Sequence, residues 1–300
     1  MLLDVQLDAP PWEAAARARE LVGAGVGGLF TFEGSYDVFL PLAIASQAVE
    51  TDLMTNVAIA MPRSPVHLAH NAWDLHRLTG GRFRLGLGSQ TKVHIEKRFG
   101  ATWSPPAARM KEIVRAVIAI LDSWQDGTPL RFEGEHTRHT LMPPTFSPGP
   151  NPFGRPPVLL GALGPIMTRT AAEVADGLLV MPFHSRRHLE QVTLPAVAEG
   201  LRRSGRDRLR IEPQAILAMG VTDAEREAAD HGAKSLLAFY GSTPAYRSVL
   251  EVEGWGDLQP ELNRLSKIGD VATMTSLITD EMLERLAVRG TPSECAAELH

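Results

Sequence analysis

The stretch from Thr55 to Gln90, TNVAIAMPRSPVHLAHNAWDLHRLTGGRFRLGLGSQ, constrains this chain more than any other. TNVAIAM is a short apolar run of small and β-branched residues, the composition of a buried strand. Pro62 and Pro65 close it. Pro65 suits the first turn of a helix, where its missing N–H would have had no partner anyway. Leu68, Ala72, Leu75 and Leu78 recur at helical spacing. Thr79-Gly80-Gly81 ends that run, because glycine enters the left-handed region at little steric cost. RFRLGLGSQ is a second strand. Strand, helix and strand with short connections make a βαβ unit, so the two strands lie parallel. Asn56, Ala58 and Ala60 on the first strand are small, as are Gly86, Gly88 and Ser89 on the second. Such residues either leave room above the strand tips, where parallel α/β folds bind ligands, or let helix and strand pack closely.

The same alternation runs along the chain. Strands are expected at Leu2–Leu7, Leu29–Phe32, Pro157–Leu163, Gly177–Pro182 and Ile211–Val221. Helices are expected at Trp12–Val22, Phe39–Val49, Arg109–Trp124, Ile166–Val174 and His188–Leu201, the last with a kink at Pro195. Thr222-Asp223-Ala224-Glu225 reads as an N-cap with acids in the first turn of a helix reaching about Ala238. Thr279 caps another over Asp280–Ala287, and Thr291-Pro292-Ser293-Glu294 opens a last one. Lys92–Pro106 is irregular, Leu130–Leu141 is an inserted hairpin, and Pro143–Pro157 is a proline-rich excursion. Seven strand–helix repeats favour a (β/α)8 TIM barrel with insertions over a doubly wound sheet. The reading is one domain over residues 1–300 with no eighth strand visible, so closure needs a strand after His300 or a neighbour to cover the gap between the first and seventh strands.

Composition narrows the function. The net charge of −5 is dispersed, with no basic stripe, so nucleic acid is not an expected partner. Cys295 is the only cysteine, which excludes an intramolecular disulfide and a cysteine-based metal cluster. MLLDVQLDAPP lacks the features of a signal peptide, and no apolar run has membrane-spanning length. A cytoplasmic protein without a membrane partner is expected.

The Thr55–Gln90 stretch, together with PPVLLGALGP and AAEVADGLLV, resembles the bacterial luciferase-like superfamily, and within it the deazaflavin (coenzyme F-420)-dependent oxidoreductases. AFYGSTPAYRSVLEVEGWGDLQPELNRLSK is similar to one subgroup of that branch. The resemblance covers nearly the whole chain. It implies a (β/α)8 barrel that binds its cofactor at the C-terminal mouth, often as a homodimer. Asn56 and Val57, followed by Ala58, match a strand bulge that often carries a non-prolyl cis peptide beneath the deazaflavin ring. Gly88, Ser89, Gln90 and His94 match positions beside the cofactor. Gly161, Ala162, Leu163 and Gly164 match the loop that meets its phosphate, and a glycine loop entering a helix N-terminus is independently an anion site. Glu33 matches an acidic position at the end of the second strand. The next position, a histidine thought to assist hydride transfer in several relatives, is Gly34 here. The proton work would then fall to Glu33, His94 or His184.

Other motifs carry less. Gly86-x-Gly88 begins a dinucleotide fingerprint, but Thr91 stands where the third glycine belongs. His67, His70 and Asp74, and likewise His136 and His139, have conceivable metal-ligand spacing, yet helical and hairpin histidines more often pack or cap, so no metal site is assigned. Tyr240, Tyr246, Arg247 and Trp255 form either a packed insertion or a lid, and Arg186-Arg187 either meets an acidic cofactor tail or is solvated. Cys295 is structural. The function expected is F-420-dependent hydride transfer to or from a small organic substrate. An FMN-dependent monooxygenase and a non-catalytic cofactor-binding protein are the alternatives.

Overall fold

The computed structural model describes residues 3–299. Met1, Leu2 and His300 lie outside the described residues, as does the Leu2 start expected for the first strand. The chain divides into two compact units. The first holds Met1–Ala162, Thr170–Leu179 and Gly200–Arg210; the second holds Leu163–Arg169, Val180–Glu199 and Ile211–His300.

The first unit is built on parallel strands. β1 (Asp4–Gln6), β2 (Gly28–Thr31), β3 (Asp52–Thr55), β4 (Ala58–Ile59) and β5 (Phe83–Gly88) alternate with helices Ala14–Gly23, Leu40–Ser46 and Pro65–Leu78. β1 pairs with β2, β2 with β3, and both β3 and β4 with β5, all in parallel. The long helix Pro106–Asp126 and the antiparallel pair β6 (Phe132–Glu133) and β7 (Arg138–His139) come next. β8 (Val158–Ala162) then pairs parallel with β5. All six residues of β5 are buried, which is why it reads as an unbroken apolar and glycine run apart from Arg84. Helices Pro65–Leu78 and Pro106–Asp126 meet through Trp73 and Trp124, whose rings cross edge-on at 5.6 Å. Glu112 holds the β6–β7 turn, its carboxylate accepting from the backbone N–H groups of Glu135, His136 and Thr137. β9 (Gly177–Val180) and β10 (Arg210–Pro213) extend the sheet order beyond β8.

The second unit pairs β11 (Leu217–Met219) in parallel with β12 (Val288–Gly290). Helices Asp223–Gly241, Arg247–Glu253, Leu258–Ile268, Val271–Ser276 and Asp280–Leu286 lie between those strands. Leu237, Leu250, Leu262, Met274 and Leu283 form their core, with Tyr240, Tyr246 and Trp255 packed against it. Thr222 and Glu225 form a complete capping box, and Thr279 accepts from Met282 N, as the sequence predicts.

Several expectations need correction. The stretch read as passing from one helix directly into the next contains a short strand, Val288–Gly290. Three half-buried residues carry no apolar run, and only the pairing with β11 reveals them. The strand expected over Ile211–Val221 is broken at residues 214–216 into β10 and β11. The irregular stretch after β5 contains a short helix, Lys92–Lys97. No kink interrupts the chain at Pro195; instead a π-helical turn over Leu189–Thr193 precedes the helix Leu194–Ser204. Pro195 then sits in the first turn of that helix, where no N–H is needed.

Candidate functional site

In the first unit the site residues gather where β3 gives way to β4. Leu53 and Met54 pair with Phe83 and Arg84, whereas Ala58 and Ile59 pair with Leu87 and Gly88. Thr55, Asn56 and Val57 therefore oppose only Leu85 and Gly86, and the extra residue makes a β-bulge. The peptide between Asn56 and Val57 is cis, as expected. The Thr55 hydroxyl takes over the interrupted ladder, donating to Gly86 O at 2.8 Å and accepting from Gly86 N at 3.0 Å. Asn56 N donates to Thr31 O at 2.7 Å, which ties the bulge back to β2.

The glycines around the bulge are seats for it. A Cβ on Gly88 would overlap the Val57 side chain, and one on Gly161 would stand 3.1 Å from Val57 Cγ1. A Cβ on Gly86 would overlap the Thr55 carbonyl and press on Leu179. The room read above Gly86 and Gly88 is thus filled by the protein itself, and close packing is what makes these residues small. Ser89 and Gln90 follow β5, half-buried. Gln90 takes φ 58, an uncommon conformation for a side-chain-bearing residue, and its own Oε1 accepts from Thr91 N at 2.8 Å.

Glu33 is brought directly onto the bulge. Its Oε2 accepts from Ile59 N at 2.8 Å and from Arg63 Nη1 at 2.6 Å, and Arg63 Nη1 also donates to Ile59 O. With a side chain only 7% exposed, the carboxylate is bound into an ion pair and a backbone bond. It braces the strand end and is poorly placed to shuttle protons. Arg98 Nη2 donates to Gly34 O at 2.8 Å beside it. His94 is exposed on the helix Lys92–Lys97.

β8 ends in Gly161-Ala162, and Leu163-Gly164 lead into the ten-residue helix Pro165–Val174. Nothing lies within 4 Å of where a Cβ of Gly164 would stand. Gly161 and Ala162 belong to the first unit, Leu163 and Gly164 to the second.

In the second unit His184 Nδ1 lies 2.7 Å from Met181 O. A carbonyl can only accept, so Nδ1 carries the proton and Nε2 of the neutral ring is left as an acceptor. Burial lowers the His184 pKa, and the bond to Met181 only partly opposes that. Four residues on, His188 is fully buried. Its Nε2 is 3.4 Å from Ser248 Oγ, while Nδ1 has no hydrogen-bond partner. Burial, then the neighbouring His184, push its pKa down to about 4 against the pull of Glu253. Ser185 Oγ donates to Glu253 Oε1 at 2.6 Å and accepts from His188 N at 3.0 Å. Glu253 Oε2 receives Arg285 Nη1 at 3.0 Å. Phe183, Tyr240 and Tyr246 pack ring to ring at 5.9–6.5 Å, and burial raises both tyrosine pKa values. Tyr240, Tyr246 and Trp255 therefore belong to the packed core margin of their unit. Arg186 pairs with Glu190 at 3.0 Å.

Sequence reasoning missed Arg63, Ser185, His188, Ser248, Glu253 and Arg285. A signal existed for one pair: His184 and His188 flank Ser185, a residue type that caps helix N-termini, with His184 just outside the turn and His188 within it. Among the described residues no three His, Cys, Asp or Glu side chains come together to hold a metal, and no helix is long and apolar enough to cross a membrane.

Parallel strands alternating with helices, with a glycine loop at a strand end, define an α/β barrel-class protein. The solved F-420-dependent tetrahydromethanopterin reductase of Methanopyrus kandleri has this fold: TM-score 0.78, 20% identity, covering 99% of this chain and 88% of that one. A family model described as luciferase-like monooxygenase matches residues 5–300, and the chain belongs to that family. An uncharacterised protein of Mycobacterium tuberculosis is 48% identical over 95% of this chain and 85% of its own length. The 5,10-methylenetetrahydromethanopterin reductase of Archaeoglobus fulgidus is 31% identical over 77% of this chain and 67% of its own length.

Proposed function

We propose that this protein is an oxidoreductase that uses coenzyme F-420 for two-electron chemistry on a small organic molecule. The observation that carries the reading is the Gly161–Gly164 loop. It enters a ten-residue helix, Pro165 occupies the first helical position without wasting a donor, and no atom crowds the space where a Gly164 side chain would stand. The similarity to a putative coenzyme F-420-dependent oxidoreductase of Mycobacterium tuberculosis, 29% identical over 94% of this chain and 84% of its own length, supports the choice of cofactor.

The residues fit the group. Leu163 and Gly164 would hold its phosphate. In the first unit, Val57 packed on Gly88 and Gly161, with Glu33 bonded to Ile59 N, holds the bulge at Asn56–Ala58 in place. When bound, the deazaflavin supplies hydride chemistry. The protein's own task is then to orient the substrate and to manage one proton. Of Glu33, His94 and His184, the reading favours His184, whose Nδ1–H bond to Met181 O leaves Nε2 as the acceptor nitrogen and whose pKa burial lowers. It would accept a proton or a hydrogen bond from a substrate hydroxyl or amine. Glu33 is a positioning residue in this reading, and His94 has no proton role in it.

The test is a titration of the purified protein with F-420 and with FMN, repeated on Gly164→Asp. F-420 is expected to bind more tightly. The aspartate, which sets a carboxylate against the phosphate, is expected to weaken it at least tenfold. Tighter FMN binding would transfer the protein to the flavin-dependent monooxygenases, the second reading, which the family's description favours. An unchanged F-420 affinity in Gly164→Asp would show that the phosphate site is elsewhere. A homodimer is proposed as the working form, checked by light scattering.

A further inference from the structure

The segment His184-Ser185-Arg186-Arg187-His188 is tied to its surroundings at His184, Ser185 and Arg187. On its N-terminal side, His184 is bonded to the Met181 carbonyl. Against Ser185 and Arg187 lies Glu253, the last residue of the helix Arg247–Glu253, with a side chain only 1% exposed. Burying a carboxylate costs several kcal/mol unless its lone pairs are satisfied. Glu253 meets that cost with both oxygens. Oε1 accepts from Ser185 Oγ at 2.6 Å; Oε2 accepts from Arg285 Nη1 at 3.0 Å and lies 3.9 Å from Arg187 Nη1. Arg187 Nη1 also reaches Val252 O at 3.3 Å. One carboxylate thus joins three elements: the turn after β9, the helix Arg247–Glu253, and the helix Asp280–Leu286 through Arg285. Ser185 is bonded at the same oxygen to His188 N, so the join passes into the turn whose first residue is His184. His188 fills the space behind it, fully buried, with Nε2 toward Ser248.

We propose that Glu253, acting through Ser185, is the positioning residue for the His184 imidazole. Movement of the Ser185 backbone would carry the adjacent His184 with it and break the Nδ1–H bond to Met181. That bond makes Nδ1 the protonated nitrogen and Nε2 the acceptor. Glu253 and Arg285 are more than sixty residues from His184 in sequence, which is why nothing local announces the link. A purely structural role for Glu253 would stabilise the unit and leave the tautomer of His184 untouched.

The inference rests on the role given to His184 above, and its test does not need cofactor or substrate. The ring nitrogens of His184 are observed by two-dimensional 15N–1H spectroscopy of the unliganded full chain, assigned with His184→Gln. Wild type is expected to show one Nδ1–H tautomer. Glu253→Gln keeps an acceptor for Ser185 and is expected to retain that signature. Glu253→Ala is expected to draw the two nitrogen resonances toward each other as the tautomers exchange. Ser185→Ala cuts the same link and leaves the Glu253–Arg285 pair intact, so it decides the matter if Glu253→Ala does not fold. A folded Glu253→Ala or Ser185→Ala with unchanged His184 resonances would overturn the proposal. Failure of F-420 to bind would overturn the cofactor reading and leave this result standing.

Discussion

Gly86 and Gly164 have the same side chain for opposite reasons. Gly86 is small because Thr55 and Leu179 occupy the space a Cβ would need. Gly86→Ala is expected to cost at least about 2 kcal/mol, since backbone atoms cannot step aside as a flexible side chain does. The denaturant midpoint measures it. Gly164 has open space around it, so Gly164→Ala is expected to change stability by less than about 0.5 kcal/mol. Any loss of F-420 affinity in that variant then reports on the loop and not on folding. Glu33 belongs to the same scale. Removing it leaves Ile59 N–H without its acceptor and Arg63 without its counter-charge in a mostly buried place. Glu33→Ala is expected to cost about 2–3 kcal/mol, and Glu33→Gln less, because the amide oxygen still accepts. Were Glu33 a proton carrier instead, Glu33→Gln would abolish turnover with little effect on the unfolding curve.

At the scale of elements, the turn from Ser185 into the π-helical stretch Leu189–Thr193 holds a titration that stability should feel. His188 has a folded pKa of about 4 against an ordinary value of 6.5, caused first by burial and then by His184. The groups facing it are His184, Glu253 and Ser248, with Arg187 and Arg285 behind the carboxylate. Between those two pH values the unfolded chain binds a proton that the folded one refuses. Stability is therefore full above about pH 6.5 and falls as pH drops toward 4, by up to roughly 3 kcal/mol. His184, shifted in the same direction, adds to the slope. His188→Gln is expected to flatten the curve of stability against pH across that window. A slope identical to wild type would show that another group titrates there. The elements also differ in how legible they were. The capping box at Thr222 is a local signal of side chain and backbone, so sequence shows it. Val288–Gly290 is a strand only because β11 lies alongside to complete its hydrogen bonds.

For the whole molecule, cofactor binding and folding are linked. A ligand that binds only the folded state at a hundred times its dissociation constant adds about 2.7 kcal/mol of stability. F-420 at that excess is expected to raise the melting temperature by several degrees, and FMN at equal concentration by less. Gly164→Asp should remove most of the F-420 shift while keeping the melting temperature of the unliganded protein. Equal shifts in the variant and in wild type would detach the Gly161–Gly164 loop from the cofactor.

Alternating apolar runs, prolines at helix starts and glycines at helix ends were enough to show a parallel α/β barrel-class chain. They also showed its glycine loop, which is written in residues adjacent along the chain, while the bulge in the Thr55 strand came from the resemblance to the luciferase-like family. What the tertiary structure alone decided is which side chains those residues meet. Gly88 is filled by Val57, Glu33 is bound by Arg63, and His184 is tied by way of Ser185 to a carboxylate from a distant helix. These contacts join residues far apart in sequence. Their chemistry comes from burial and distance, and neither quantity exists until the chain has folded.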